Sequence, residues 1–144
     1  MWREFISTLE PKAIFFTGAT EAQIITFERI IHITLPDDLK NLLQESNGVR
    51  GDFGLRLIWS IEETSQYNLE MRHTIPFISN YMPFDHLLFF ADAGNGDRFA
   101  FTIIQGVVKR PDIFVWDHES DSRSWVAPSL YHYLDWWLTG KLNI

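Results

Sequence analysis

Residues 87–104, with the sequence LLFFADAGNGDRFAFTII, constrain the fold of this chain more than any other segment. Two apolar runs flank Ala-Gly-Asn-Gly, and Asp92 and Asp97 stand at the shoulders of this turn. Asn-Gly between apolar runs predicts a β-hairpin with a type I′ turn, because that turn requires positive φ at both central residues. The first run is apolar on both of its faces, which predicts a strand buried within a sheet.

The same turn raises the question of whether it binds a metal ion. A calcium loop of the helix-loop-helix kind needs oxygen ligands at its first, third and fifth positions. Counted from Asp92, the third and fifth positions are Gly94 and Gly96, which offer no side-chain ligand. The pattern therefore predicts no metal site. It predicts a structural turn whose aspartates bond the turn backbone or face solvent, formed by Asp92, Gly94, Asn95, Gly96 and Asp97.

The composition indicates one globular domain over residues 1–144. Hydrophobic residues make up 46% of the chain and aromatic residues 15%, which excludes a disordered protein. No stretch of about 18 uninterrupted apolar residues occurs, so we expect no membrane-spanning helix. The first residues lack the basic patch and apolar run of a secretory signal, which favours a cytoplasmic location. The absence of cysteine excludes disulfides, thiolate metal sites and cysteine nucleophiles.

The chain is acidic, with a formal net charge of −7, and this argues against a nucleic-acid partner. Its acidic residues are unevenly distributed. Residues 112–122 contain no Lys or Arg, and they include Asp112, Asp117, Glu119 and Asp121. Two interpretations stay open: the patch steers a basic partner at long range, or it only keeps a loop soluble.

Apolar spacing and capping residues predict three helices in the first third of the chain. The first contains Trp2 to Leu9 and ends before Pro11. A capping-box pattern at Thr20 opens the second helix. Pro36 is expected as the first residue of the third, because proline fits the first helical position. The inward-facing residues of the second and third helices are predicted to be Ile24, Phe27, Ile30, Ile31, Leu39, Leu42 and Leu43.

Strands and helices do not alternate strictly in the remainder of the chain. Apolar alternation predicts a strand over 55–61, and Ser60 begins a capping box that predicts a polar helix over 62–72. Residues 73–86 contain two prolines and are expected to form an irregular connection.

After the 87–104 hairpin, strands are predicted at 113–116 and 125–127, and Ser129 is expected to cap a final helix. The predicted fold class is α+β. It is a single domain with a mainly antiparallel sheet, a meander around the central hairpin, packed by N-terminal helices and a C-terminal helix.

The segment Trp-Asp-His-Glu at 116–119 is the strongest candidate for catalysis or zinc binding. A zinc-protease pattern would need a second histidine four residues after His118, where Ser122 stands. Neighbouring strand residues also point to opposite faces, so we do not expect Asp117 and His118 to share a pocket by adjacency. Nucleophile-elbow and phosphate-loop motifs are absent. The sequence therefore predicts no catalytic residue, no cofactor and no enzyme.

Trp136 differs from the other tryptophans in its predicted position. Trp137 and Leu138 occupy the apolar face of the final helix, which turns Trp136 toward the edge beside His132 and Asp135. A partly exposed tryptophan next to polar groups is typical of an interface anchor. Covering the N-terminal helix is the alternative role.

The order of several short motifs resembles that of the SUKH superfamily, named partly after a yeast regulator of cell-wall glucan synthesis. The resemblance runs from about residue 20 to 140, with no alignable motif over 62–86. Its early motif is Leu35-Pro36-Asp37-Asp38-Leu39, followed by Leu42-Leu43 and Asn47-Gly48. Its later motifs are Gly94-x-Gly96-Asp97, Phe99-x-Phe101, and a terminal helix with Leu134, Trp137 and Leu138 before Gly140.

The resemblance implies an α+β domain and, in bacteria, an immunity protein that binds a toxin, often a nuclease, inside the producing cell. The expected partner is thus a basic cognate toxin. The expected partner-binding residues are Asp112, Asp117, Glu119, Asp121 and Trp136. Fungal relatives imply the alternative, an intracellular regulatory interaction module without a toxin. A third class, a small-molecule-binding domain, would need a deep pocket with converging polar groups.

Overall fold

The computed structural model describes residues 1–144 and contains six α-helices and seven β-strands. The helices are α1 (Trp2–Leu9), α2 (Glu21–Ile31), α3 (Asp37–Glu45), α4 (Ile61–His73), α5 (Ile75–Asn80) and α6 (Leu130–Leu138). The strands are β1 (Ile14–Phe15), β2 (Val49–Arg50), β3 (Arg56–Ile58), β4 (Leu87–Asp92), β5 (Arg98–Thr102), β6 (Ile113–Trp116) and β7 (Arg123–Ala127). None of the helices combines the length and apolar character needed to cross a bilayer.

The strands form two antiparallel sheets, in the orders β1-β2-β3 and β4-β5-β6-β7. The second sheet is a meander in which each strand pairs with the next one in sequence. The backbone N–H of Trp59, just after β3, donates to the carbonyl of Phe90 in β4 at 2.8 Å and joins the two sheets. The predicted α+β fold with an antiparallel meander is therefore confirmed.

Strand β4 is buried on both faces, as the sequence predicts. Phe90 contacts the main core through Tyr133 of α6, with ring centroids 5.3 Å apart. Phe89 lies on the other face, in a smaller aromatic core that α4 and α5 cover. The fully buried residues of that smaller core are Trp59, Met71, Phe84, Leu87, Phe89, Ala100 and Trp116. The hairpin is thus the middle layer of the domain.

Local signals predict most helix starts correctly. Both capping boxes, at Thr20 and Ser60, form their two reciprocal hydrogen bonds. The hydroxyl of Ser129 accepts from the backbone N–H of His132 and caps α6. Pro36 is the cap of α3 and precedes its first residue, so the predicted start is one residue early.

Three further expectations about the helices and strands are wrong. Ile30 is 47% exposed, because the buried stripe of α2 is formed by Ile24, Phe27 and Ile31. The alternating segment 55–61 forms strand only over Arg56–Ile58, and Ile61 already begins α4. The expected irregular connection contains α5, whose proline sits in the first turn, where its missing N–H costs no hydrogen bond.

Candidate protein-binding surface at the hairpin end of the sheets

Three connections lie together at one end of the sheets: residues 51–55 before β3, 93–97 between β4 and β5, and 117–122 between β6 and β7. In an antiparallel meander alternate turns fall at the same end. The guanidinium of Arg56 lies 3.6 Å from the carboxylate of Asp92 and brings the first connection beside the second. We call this surface the hairpin end.

The loop 93–97 is longer than the predicted type I′ turn. Positive φ occurs at Gly94 and Gly96, with values of 93° and 102°, and not at Asn95. The backbone N–H of Ala93 donates to the carbonyl of Asp97 at 2.9 Å, and the Asn95 side chain accepts from the N–H of Asp97 at 3.0 Å. Asn95 therefore stabilises the loop through its side chain, and the two glycines take the left-handed positions.

The carboxylate of Asp97 joins two of the three connections. Its Oδ1 lies 2.6 Å from Nδ1 of His118 and accepts from the backbone N–H of His118 at 3.1 Å. Its Oδ2 accepts from the Asn95 amide at 3.3 Å. The hydrogen bond to Asp97 raises the pKa of His118, although desolvation opposes it. A Cβ at Gly96 would lie 2.9 Å from the His118 ring, so this close approach requires glycine. Asp97 thus bonds within its own turn and also to His118, a contact that the sequence does not indicate.

Asp97, Asp117 and His118 place three potential metal-ligand atoms within 4.8 Å of one another. Neighbouring strand residues point to opposite faces, so Asp117 and His118 were not expected to share a pocket by adjacency. They lie in the turn after β6, where that alternation does not apply. All three are already committed to hydrogen bonds. Oδ1 of Asp117 accepts from the N–H groups of Glu119 at 2.8 Å and Ser120 at 3.3 Å, and these bonds lower the pKa of Asp117. The sequence prediction that the chain has no metal site stays a prediction.

The four acidic residues predicted to bind a partner have different surroundings. Asp112 lies at the opposite end of β6 and forms an ion pair with Arg110 at 2.9 Å. Asp117 caps the turn described above. Glu119 is exposed and has neither an ion pair nor a side-chain hydrogen bond. In the turn between β6 and β7, Asp117 and Glu119 are thus the two carboxylates without an ion pair. Asp117 lies beside His118.

Asp121 is engaged inside the protein. Its carboxylate pairs with Arg123 at 2.7 Å and accepts from the Trp116 indole at 2.8 Å and from the backbone N–H of Met82 at 2.9 Å. Desolvation raises the pKa of Asp121, but these bonds outweigh it and the pKa is lowered. The geometry of Asp121 indicates that it stabilises the fold, whatever else it contacts.

Trp136 is half-buried on α6, with its ring 5.4 Å from His132 and 6.5 Å from the half-exposed Trp125 of β7. Tyr131, on the same helix, contacts the N-terminal helix, because Phe5 stacks on it at 4.4 Å. Trp136 and Trp125 therefore form an aromatic patch beside the sheet edge. Its role as an interface anchor stays a prediction.

A polar groove of about 740 Å³ lies between the connections 51–55 and 93–97. Ion pairs run across it in the order Arg50–Glu63–Arg56–Asp92–Arg98, with N–O distances from 2.9 to 3.7 Å. The groove is open to solvent, and it is not the deep pocket expected of a small-molecule site.

Phe53 stands at the rim of this groove and was not predicted from the sequence. It is fully exposed, and its backbone is left-handed with φ of 57°. A bulky residue in this conformation costs on the order of 1 kcal/mol, and such strain concentrates at functional sites. The signal available in the sequence was a large aromatic residue inside the turn-forming run Gly-Asp-Phe-Gly at 51–54.

Comparison with known proteins assigns the chain to a family. A family model described as SMI1-KNR4 cell-wall, of the SUKH group, matches residues 21–134. This range includes the hairpin end and both sheets except β1, and covers more than three quarters of the chain. No curated protein matches it. The chain therefore belongs to the SUKH superfamily, in its SMI1-KNR4 branch.

Proposed function

We propose that this chain is an immunity protein that binds a cognate toxin in the cytoplasm and neutralises it by direct contact. Family membership supports an immunity or regulatory role and a binding module without catalysis. The observation that carries the proposal is the fixed acidic turn 117–122. It is joined to the loop 93–97 by the His118–Asp97 contact and to the segment before β4 by Asp121.

A fixed turn is a suitable recognition element because little conformational entropy is lost when a partner binds it. The carboxylates of Asp117 and Glu119 lie on this turn in a chain of net charge −7. Their field would attract a basic toxin surface and speed the encounter. The half-exposed rings of Trp125 and Trp136 supply the kind of apolar contact that slows dissociation.

Co-expression tests the function directly. The probe is the C-terminal domain of the large protein encoded by the adjacent gene, produced with and without this chain in the same host. We expect the chain to restore growth and to co-purify with that domain in a one-to-one complex. Persistent toxicity, with no complex formed, would overturn the immunity assignment.

The double variant Asp117→Asn/Glu119→Gln tests the acidic turn. Asparagine still caps the turn, so two charges are removed with little change in structure. We expect association with the toxin domain to slow by about threefold or more at low salt, with a weaker salt dependence. Stopped-flow kinetics at several salt concentrations provide the measurement.

The matched control is Asp37→Asn/Asp38→Asn, which removes two exposed charges from the first turn of α3. It changes the net charge equally but at a different place. Equal slowing in both variants would show that overall charge, and not the β6–β7 turn, governs association.

A regulatory interaction module is the second candidate, and the cell-wall wording of the matched family favours it. In that role the chain would bind a protein of envelope synthesis and no toxin. The adjacent gene distinguishes the two functions, because an adjacent large protein with a nuclease-like end supports immunity.

A further inference from the structure

Phe53 is the most exposed large hydrophobic residue of the chain, and the fold gives no reason for it. Its side chain does not belong to either hydrophobic core. Its left-handed backbone would suit glycine better, and Gly54 beside it also has positive φ, at 73°. A phenylalanine here therefore weakens the free protein both by strain and by exposing an apolar ring. Such an outlier points to a contact made outside the chain.

The groove beside Phe53 has an excess of positive charge in its ion-pair network. Three guanidinium groups alternate with the carboxylates of Glu63 and Asp92, so the network ends in arginine on both sides. Asp52 lies exposed at the rim without an ion pair. The ion-pair network alone carries one net positive charge, which the carboxylate of Asp52 offsets.

Two of these guanidinium groups have hydrogen-bonding capacity left. Arg98 lies 3.7 Å from Asp92, beyond hydrogen-bond range, and its Nη1 is buried without an acceptor. The Nε of Arg56 lies 2.9 Å from Glu63 but is misaligned for a hydrogen bond. These two nitrogens are too buried for a ligand to reach, but the structure shows no hydrogen bond from either guanidinium, so the remaining N–H groups of both can bind another carboxylate.

The Arg98 side chain is held in place by aromatic rings. Its guanidinium carbon lies 5.4 Å from the ring centroids of both Trp59 and Tyr67. Stacking of this kind fixes the planar group and lowers the entropy lost when it binds an anion. The side chain remains about one fifth exposed, so a ligand in the groove can reach it.

We propose that the groove is a docking site for a carboxylate-bearing segment of the partner protein, with Arg56 and Arg98 binding the carboxylate and Phe53 entering an apolar pocket of the partner. The proposal rests on the proposed function only in requiring a protein partner. The acidic turn 117–122 and the arginine-bearing groove lie on either side of the loop 93–97. A site that attracts cations next to a site that binds a carboxylate would fix the orientation of the partner and exclude surfaces of uniform charge.

The variant Phe53→Gly separates binding from stability. Glycine relieves the left-handed strain, so we expect the melting temperature to rise while affinity for the toxin domain falls at least tenfold. Arg56→Gln is expected to reduce affinity at least tenfold as well. The control is Ile75→Ala, which removes another strongly exposed apolar side chain, on α5, and should leave affinity unchanged. Calorimetric titration measures the affinity of all three variants, and thermal unfolding measures the melting temperature.

A second measurement on the wild-type protein needs no toxin. The capped dipeptide acetyl-Leu-Asp-amide is titrated while the Nε–Hε signals of the arginines are followed by NMR. We expect saturable shifts of the Arg56 and Arg98 signals, and none with the uncharged acetyl-Leu-Asn-amide.

The outcomes distinguish the inference from the proposed function. If the wild-type chain binds the toxin domain and either Phe53→Gly or Arg56→Gln binds equally well, the groove proposal is overturned while the immunity function stands. If the wild-type chain does not bind that domain, the immunity function fails. The dipeptide titration then tests the docking site by itself. NMR shifts of the Arg56 and Arg98 signals support the docking site, and their absence overturns it.

Discussion

Replacing Asn68 by leucine is expected to destabilise the protein by about 3 kcal/mol, since each buried hydrogen bond lost without replacement costs about 1–3 kcal/mol. Asn68 is fully buried on α4. Its amide donates to the carbonyl of Phe89 at 2.9 Å, and its Oδ1 accepts from the N–H of the same residue at 2.9 Å. Leucine has a similar volume but removes both bonds from a buried strand. Urea unfolding followed by tryptophan fluorescence gives the free energy of unfolding.

Gln66→Leu is the matched control on the same helix. Gln66 is exposed, and its side chain bonds only to Glu70, one turn further on. We expect its free energy of unfolding to change by no more than about 0.5 kcal/mol. A similarly small change for Asn68→Leu would mean that the contact between α4 and β4 depends on apolar packing and not on the amide.

The contrast between Ser60 and Asn68 shows what can be predicted from sequence. The capping box of Ser60 involves residues three positions apart, so its pattern is visible in the sequence and predicts the start of α4 correctly. Asn68 bonds to a strand 21 residues away. The pattern predicts only a polar helix, because nothing local indicates which polar side chain faces the strand.

The hairpin end shows the same limit. Gly-Asn-Gly correctly predicts a hairpin, and the apolar runs predict a buried central strand. The contact between Asp97 and His118 depends on how β5 and β6 pair, which sets two turns side by side. Ligand spacing is a property of each turn alone, so it cannot indicate a contact between two turns. Phe53 is hidden for a different reason, since apolar periodicity does not report exposure within a turn.

Asp121→Asn is expected to destabilise the protein by about 1–2 kcal/mol, because it removes the charge from a partly buried ion pair, although Arg123 still donates to the carbonyls of Met82 and Pro83. Arg123 is only 9% exposed, and Asp121 is the one carboxylate paired with it. Asparagine preserves the size of the side chain and tolerates the left-handed backbone at this position, where φ is 63°. The change therefore isolates the charge. Urea unfolding at pH 7 measures the difference from the wild-type protein.

The pH dependence of that difference tests its cause. The pKa of Asp121 is lowered in the folded protein, so its contribution to stability is fully present above the usual value of 3.8 and is lost as pH falls through the lowered value. The difference in the free energy of unfolding between Asp121→Asn and the wild-type protein should accordingly become smaller in acid. Glu119→Gln changes an exposed residue two positions away, and it should leave the free energy of unfolding unchanged both at pH 7 and in acid. A stable Asp121→Asn protein would show that the fold does not need this charge; a destabilised one would support the structural role that its contacts indicate.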